Sequence, residues 1–146
     1  MNKMKKLILL FALLGATSLY AQDLQYQKII DTKLSKADAY SASLQWFGET
    51  FNSGKSVIQT KDPESGIIVG NGRIEEPGLM PYYILFTITV ETKDKRVRVT
   101  LNNLSSENAV SSMVWTTETQ LKTMSPKLDE IIDSLTQALA KYNPNW

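Results

Sequence analysis

Acid–base chemistry in this chain depends on carboxylates, lysines and tyrosines, because the sequence contains neither cysteine nor histidine. Without these two residue types, the usual zinc sites and the Ser-His-Asp and Cys-His nucleophilic arrangements are excluded. A chain without cysteine also has no disulfide, so its stability must come from a hydrophobic core. No motif indicates a cofactor or a metal, and we expect none.

Acidic residues that stand close together in the sequence are the candidates for a hydrolase. Glu75 and Glu76 are adjacent, and Asp129, Glu130 and Asp133 cluster near the C-terminus. A catalytic pair needs a cleft in which two carboxylates converge and burial raises one pKa. Asp129 and Glu130 have a simpler role, because acidic residues in the first turn of a helix stabilise its dipole. A carboxylate-dependent hydrolase is therefore the least favoured of three functional classes.

The clearest structural pattern is a β-hairpin formed by residues 82–91 and 96–104, in which apolar and polar residues alternate. A two-residue loop at Lys93 and Asp94 sets the predicted register. On one face this register places Val90 opposite Val97, Ile88 opposite Val99 and Phe86 opposite Leu101. On the other face it places Glu91 opposite Arg96, Thr89 opposite Arg98 and Thr87 opposite Thr100. One face is thus predicted to be buried and the other solvated.

The solvated face of this hairpin is the candidate binding surface. It carries a ring, hydroxyls and guanidinium groups that would recognise an acidic or sugar-like ligand. The candidate residues are Tyr83, Thr87, Thr89, Arg96 and Arg98. The alternative is a plain solvated face on which Arg96 pairs with Glu91. The favoured function is a noncatalytic module that binds a protein, a glycan or a small molecule of the cell envelope.

A structural or assembly role is the third functional class. Residues 105–123 are rich in Ser, Thr and Asn but also contain Trp115 and other apolar residues. A short strand is predicted near residues 113–117. Trp115 is the candidate contact to another subunit or a membrane protein, and the alternative is that Trp115 caps the core.

Two amphipathic helices are predicted around the strands. The first begins with an N-cap at Ser35 and runs to about Asn52, before Ser53 and Gly54. Its apolar stripe is Ala37, Tyr40, Leu44, Phe47 and Phe51, with Trp46 just off the stripe. The second has Ser125 as its cap and Pro126 at the first helical position, and it ends near Tyr142. Its stripe is Leu128, Ile131, Ile132, Leu135 and Leu139.

Three further strands are predicted over residues 24–30, 56–61 and 67–74. Gly70 and Gly72 lie inside the last of these, but no helix pattern follows them, so a phosphate-binding loop is not indicated. They are expected to leave space for an aromatic ring. The order β-α-β-β-β-β-α predicts an α+β two-layer sandwich, in which an antiparallel sheet carries both helices on one face.

The N-terminus has the composition of a secretory signal peptide. Lysines at positions 3, 5 and 6 precede an apolar run over residues 7–14, and a small residue, Ala21, ends the segment. The run is shorter than the roughly 20 apolar residues of a membrane span, so cleavage after Ala21 and no stable membrane anchor are expected. Residues 22–146 are then a single exported domain, periplasmic or secreted.

The charge of the mature chain argues against nucleic acid as a partner. The leader contains three of the 16 basic residues, so its removal changes the formal charge from +1 to about −2. Nucleic acid is bound largely through clustered basic charge. Gln22 stands where lipid-anchored exported proteins have a cysteine, so no lipid anchor is expected at this position.

The chain resembles the exported bacterial proteins of the domain of unknown function 4468 family, which is described as having a TBP-like fold. The resemblance spans about residues 24–104, and the leader before this span is one of the features that support it. It rests on the Trp46-Phe47 helix before residues 56–59, the run 65–72 and the strand 82–90. It implies a curved antiparallel sheet of TBP-like topology, and it supplies no activity and no catalytic residue. The label describes topology only, so it does not imply DNA binding.

Overall fold

A computed structural model describes residues 24–51 and 57–145, which form six strands and two helices. The elements are β1 (Tyr26–Asp31), α1 (Lys36–Thr50), β2 (Val57–Asp62), β3 (Ile67–Glu76), β4 (Tyr82–Lys93), β5 (Arg96–Glu107), β6 (Ser112–Val114) and α2 (Glu118–Lys141). The sheet has the order β1-β5-β4-β3-β2, all neighbours are antiparallel, and β6 pairs with the end of β5. The predicted α+β sandwich is confirmed. The predictions for residues 1–21, for the end of the first helix at Asn52–Gly54 and for Ser56 lie outside the described residues.

The face of the sheet that both helices cover holds the core. Alternate residues of β4 and β5 point into it, as the hairpin pattern predicts. Each of the following is at most 3% exposed: Ile84, Phe86, Ile88, Val90, Val97, Val99 and Leu101. The opposite face of the sheet, here called the open face, carries the intervening residues, which are half-buried or exposed. The prediction of which hairpin face is buried is therefore confirmed.

The predicted register of the hairpin is wrong by two residues. Glu91 faces Arg98, not Arg96, because the loop consists of Asp94 and Lys95. Tertiary hydrogen bonds hold this loop: the backbone N–H of Lys36 donates to Asp94 Oδ1 at 2.8 Å, and the Lys95 N–H donates to the Leu34 carbonyl at 2.9 Å. A shift of two leaves every side chain on its predicted face, since successive side chains alternate.

The other predicted pairs change in the same way. The observed pairs are Val90 with Val99, Thr92 with Val97, Ile88 with Leu101, Thr89 with Thr100 and Thr87 with Asn102. A further register shift lies between Leu85 and Thr87, next to Asn103, whose φ is +49°. The predicted pair of Phe86 and Leu101 is lost to the shift of two residues, because Leu101 faces Ile88.

Helix α1 begins as predicted but has a broader buried face. Ser35 Oγ accepts a hydrogen bond from the Asp38 N–H at 3.2 Å, which confirms the N-cap. Trp46, predicted to lie off the stripe, is only 3% exposed, and its Nε1 donates to Ser134 Oγ of α2 at 2.9 Å. Ala37, predicted on the stripe, is exposed. The helix packs against both the sheet and α2, so two directions of its surface are buried rather than one.

Helix α2 begins earlier than predicted. Its N-cap is Thr117, which forms a capping box with Gln120, and Pro126 lies inside the helix. A proline lacks the N–H that would bond the carbonyl four residues before it, here that of Lys122. Ser125 Oγ donates to this carbonyl at 2.9 Å and so compensates for the missing bond. The predicted apolar stripe is buried and the helix ends at Lys141, so those predictions are confirmed.

Gly72 makes room for an aromatic ring, as predicted. A Cβ at this position would lie 2.3 Å from Phe86 and 3.2 Å from Phe51. The Phe51 ring follows the last turn of α1 and lies 6.1 Å from the Phe86 ring, measured between centroids. The absence of a side chain at Gly72 thus lets the end of α1 pack closely against β3 and β4. None of the helices in the described part of the chain is long and apolar enough to cross a membrane.

Candidate functional site

The five predicted hairpin residues lie on the open face, but they do not form one site. Tyr83 stands near the end of β4 that faces Glu107, whereas Arg98 faces Glu91 near the hairpin turn. At about 3.3 Å per residue, the distance from Tyr83 to Glu91 along β4 is about 26 Å. A small ligand cannot contact both ends. The open face therefore consists of separate regions.

At the turn end, both arginines already have acidic partners. Arg98 donates two hydrogen bonds to Glu91, from Nε to Oε2 at 2.6 Å and from Nη2 to Oε1 at 2.7 Å. These bonds hold the pKa of the Glu91 carboxyl below its ordinary value. Arg96 pairs instead with Asp31, with Nε 3.3 Å from Oδ1. The predicted pair of Arg96 and Glu91 is wrong because of the register, and neither guanidinium is left without an anion.

The two threonines occupy the middle of the open face. Thr87 Oγ1 donates to Asn71 Oδ1 at 3.1 Å and accepts from Asn103 Nδ2 at 3.1 Å. Thr89 lies between Val69 of β3 and Thr100 of β5. This part of the face is a hydrogen-bonded surface, and neither threonine lines the pocket at the Tyr83 end of the face.

At the opposite end, Tyr83 contributes to a pocket of about 480 Å³, here called the Arg73 pocket. Arg73 of β3 faces Leu85, and Tyr83 faces Glu75, so the two residues are diagonal neighbours across the pair of strands. The guanidinium carbon of Arg73 lies over the Tyr83 ring, 3.5 Å from its centroid. This stacking fixes the plane of the guanidinium.

Arg73 has no anionic partner in the described part of the chain, in contrast to Arg96 and Arg98. Its Nε is buried and forms no hydrogen bond. A guanidinium presents five N–H donors, and buried donors normally find acceptors. The Arg73 pocket therefore holds a guanidinium that is free to bind an added anion.

Two loops form the rest of the Arg73 pocket. The β3–β4 loop contributes Leu79 and Met80, which are 107% and 62% exposed, and Pro81. The loop after β5 begins at Asn108, whose Oδ1 accepts hydrogen bonds from the Val110 and Ser111 N–H groups, both at 2.9 Å. Glu107 also lines the pocket and lies across from Tyr83. The pocket thus combines one cation, one carboxylate, a ring and an apolar rim.

The sequence predicts Tyr83 as a site residue but does not single out Arg73. The alternation of β3 places Arg73 on the same face as Asn71, which is a usable signal. The contact with Tyr83, however, depends on the register between β3 and β4, whose connection through residues 77–81 is not a recognisable two-residue turn. Only the three-dimensional pairing brings the two side chains together.

Trp115 lies in the core rather than on a surface. It is 5% exposed, its backbone N–H donates to the Leu104 carbonyl at 2.9 Å, and its indole Nε1 donates to Ser106 Oγ at 3.3 Å. This placement favours the alternative in which Trp115 caps the core. The exposed apolar residues of this segment are Val110, Met113 and Val114, and the latter two belong to β6, which replaces the strand predicted at residues 113–117.

Of the five acidic residues considered for hydrolysis, three have cation partners, namely Glu76, Asp129 and Glu130. Glu76 and Glu130 lie 3.3 and 3.5 Å from Lys127 Nζ. Asp129 accepts a hydrogen bond from the Tyr26 hydroxyl and lies 3.3 Å from Lys28 Nζ.

The hydrogen bond from Tyr26, followed by the Lys28 contact, lowers the pKa of Asp129. A general acid needs the opposite shift. No cluster of three potential metal ligands occurs among the described residues.

The strands that carry the Arg73 pocket match a known family. A family profile described as a domain of unknown function, DUF4468, with TBP-like fold matches residues 26–107. The chain belongs to the DUF4468 family. The matched region runs from β1 to the last residue of β5, so it includes Arg73, Tyr83 and Glu107. Strand β6 and helix α2 of this DUF4468 protein lie beyond it.

Solved structures support the same fold. A DUF4468 family protein from Bacteroides ovatus superposes with a TM-score of 0.71 at 17% identity, over 90% of this chain and 95% of the other. A TBP-like protein from Parabacteroides distasonis gives a TM-score of 0.57 at 11% identity, over 77% of this chain and 92% of the other. At these identities the likeness concerns the fold alone. Among curated proteins, none matches the chain.

Proposed function

We propose that this DUF4468 protein is an exported, noncatalytic module that binds a carboxylate-bearing ligand in the Arg73 pocket. The observation that carries the proposal is the Arg73 guanidinium, stacked on Tyr83 at 3.5 Å and without an anionic partner among the described residues. Arginine binds carboxylates through two parallel N–H···O bonds when its plane is fixed. Tyr83 supplies that fixed plane.

The composition of the Arg73 pocket favours a singly charged ligand. One arginine beside Glu107 suits a single carboxylate, because a phosphate would add a second negative charge next to the Glu107 carboxylate. Glu107 can accept hydrogen bonds from hydroxyl or ammonium groups of the ligand. Leu79 and Met80 offer apolar surface to the remainder of the ligand. The volume of about 480 Å³ is typical of small-molecule sites.

The noncatalytic and exported character of the protein is part of the same proposal. Glu76, Asp129 and Glu130 have cation partners, and the lowered pKa of Asp129 does not suit acid catalysis. Export is supported by the lysines, the apolar run and the small residue of the leader. An exported module with a carboxylate site would meet sugar acids and small organic acids in the cell envelope.

The test is a set of calorimetric titrations with matched charged and neutral probes. Benzoate and glucuronate carry the carboxylate, and benzyl alcohol and glucose are their neutral counterparts. We expect saturable binding of at least one carboxylate and at least tenfold weaker binding of its neutral counterpart. Arg73→Gln should weaken carboxylate binding about tenfold or more, which corresponds to losing a charge-assisted bidentate contact of roughly 1.5–3 kcal/mol.

Arg98→Gln is the matched control. It removes a guanidinium from the same face of the sheet, but one that is occupied by Glu91. Carboxylate binding should be unchanged in this variant. Equal losses in the two variants, or equal affinity for benzoate and benzyl alcohol, would contradict the proposed site. A preference for glucuronate over benzoate would identify the ligand as a sugar acid rather than an aromatic acid.

Assembly through residues 105–123 is the second candidate. It is favoured by the apolar residues of β6, since Met113 is 57% and Val114 is 69% exposed at the end of the sheet. If this strand joins subunits, Val114→Lys should lower the mass measured by light scattering at high protein concentration. An unchanged mass that equals one chain at all concentrations would remove this candidate.

A further inference from the structure

We infer that a second pocket, on the helix-covered side of the same strand ends, binds a small uncharged apolar molecule. This Trp115 pocket has a volume of about 270 Å³ and lies between β4, β5, β6 and the first turns of α2. The residues that matter for the argument are Tyr82, Ser106, Met113, Trp115, Thr123 and Met124. The inference is independent of the Arg73 pocket.

The two pockets lie on opposite sides of the sheet. Tyr82 and Tyr83 are consecutive in β4 and point to opposite faces, so Tyr82 lines the Trp115 pocket and Tyr83 lines the Arg73 pocket. In β5, Ser106 lines the Trp115 pocket and the next residue, Glu107, lines the Arg73 pocket. A ligand in one pocket therefore cannot contact the other, and each pocket must be explained by its own chemistry.

The Trp115 pocket contains no charged side chain, and most of its polar groups are already hydrogen-bonded. Ser106 Oγ accepts from the Trp115 indole at 3.3 Å, and Thr123 Oγ1 donates to the Thr119 carbonyl of its own helix at 2.9 Å. Gln120 Nε2 contacts Met113 Sδ at 3.2 Å. An ion would lose its hydration without gaining a partner, so the pocket selects against charge.

The remaining surface of the Trp115 pocket suits an aromatic or aliphatic molecule. The pocket is lined by the indole ring of Trp115, the phenol ring of Tyr82 and the thioethers of Met113 and Met124. Methionine adapts its shape to ligands and favours contacts with aromatic rings. A closed apolar cavity of about 150 Å³ can hold benzene, so this open pocket of about 270 Å³ has room for a molecule with two fused rings or a chain of about eight carbons. The Tyr82 hydroxyl, which has no hydrogen bond among the described residues, can pair with a single polar group of such a ligand.

Methionine methyl NMR of the full chain tests the inference with indole as the probe. Met113 and Met124 line the Trp115 pocket, whereas Met80 lines the Arg73 pocket, so the same spectrum reports on both. The signals are assigned with single Met→Leu variants. We expect indole to shift the Met113 and Met124 methyl signals in a saturable way through its ring current and to leave Met80 unchanged.

Thr123→Phe fills the Trp115 pocket and should abolish these shifts. Thr136→Phe is the matched control, because Thr136 is also an exposed threonine of α2 whose hydroxyl donates to the carbonyl four residues earlier, at 2.8 Å. Indole-induced shifts should persist in this control. Circular dichroism of both variants confirms that each is folded.

Two outcomes would overturn the inference. One is that the Met113 and Met124 signals do not change up to the solubility limit of indole. The other is that they change with protein concentration in the absence of indole and lose their response to it, which would assign the Trp115 pocket to contact with a second copy of the chain.

Discussion

The guanidinium of Arg73 lies over the ring of Tyr83, with 3.5 Å between Cζ and the ring centroid. Tyr83→Leu removes the π face and leaves the guanidinium free to rotate. Because such contacts contribute about 0.5–1 kcal/mol at partly exposed sites, benzoate affinity should fall about two- to fivefold. Calorimetry measures the change. Tyr83→Phe keeps the face and should bind like the parent protein, and a loss equal to that of Tyr83→Leu would show that the hydroxyl, not the stacking, matters.

Gly72→Ala tests the packing of Phe86 against β3. The added methyl would lie 2.3 Å from the Phe86 ring, so the ring must move within a filled core. We expect the free energy of unfolding to fall by about 1–3 kcal/mol, measured by urea denaturation. Gly78→Ala is the control, because nothing lies within 4 Å of that position, and its effect should be within about 0.5 kcal/mol. Adding Phe86→Leu to Gly72→Ala should restore part of the lost free energy of unfolding, because the smaller side chain makes space for the methyl group.

Asp129→Asn tests the link between the first strand and the last helix. Its carboxylate accepts the Tyr26 hydroxyl and pairs with Lys28, and these contacts lower its pKa below the ordinary value of 3.8. A carboxyl with a lowered folded-state pKa stabilises the fold fully above its ordinary pKa, and this contribution disappears as the pH falls through the lowered value. The free energy of unfolding of the variant should therefore fall by about 1 kcal/mol at pH 7, because the carboxylate is partly exposed, and by less at pH 2.

Asp133→Asn provides the comparison for this pH dependence. It removes a carboxylate from the same helix, but an exposed one with no salt bridge in the described part of the chain. Its unfolding free energy should follow that of the parent protein at both pH values. If Asp129→Asn and Asp133→Asn behave alike from pH 7 to pH 2, the contacts of Asp129 with β1 do not stabilise the fold.

The proposed export makes a prediction about the N-terminus of the protein. When the full gene is expressed in a bacterium, the protein should be recovered outside the cytoplasm, and its first residue should be Gln22. Cell fractionation followed by N-terminal sequencing measures both. Recovery of an intact Met1 chain in the cytoplasm would contradict export.

The sequence was a good guide to features that depend on local pattern. The alternation of Ile88 and Val99 with polar neighbours placed each on the buried face, because alternation is a property of a single strand. The exact register also depends on tertiary contacts, because Asp94 of the hairpin loop accepts a hydrogen bond from the Lys36 N–H, which is far away in the sequence. The start of α2 was misplaced because a proline at the first helical position is the usual pattern, and Ser125 makes the interior position of Pro126 tolerable here.

The candidate site was predicted only in part. Tyr83 was identified because it belongs to the hairpin, and its face followed from the alternation. Arg73 is not identified from the sequence, because its contact with Tyr83 depends on how β3 pairs with β4. Arg96 and Arg98 looked equally suitable in the sequence, and only the structure reveals that Asp31 and Glu91 already occupy them. Sequence patterns place residues on faces, but the partners of charged side chains are set by tertiary structure.

The most direct test of the central claim is the NMR signal of the Arg73 guanidinium during a titration with benzoate, assigned by its loss in Arg73→Gln. Binding of the carboxylate at this residue predicts a saturable shift of the Arg73 Nε–H signal, with the same dissociation constant as calorimetry and no change at Arg98. An Arg73 signal that stays unchanged while calorimetry reports saturation, or equal shifts of Arg73 and Arg98, would contradict the assignment of the carboxylate site to the Arg73 pocket.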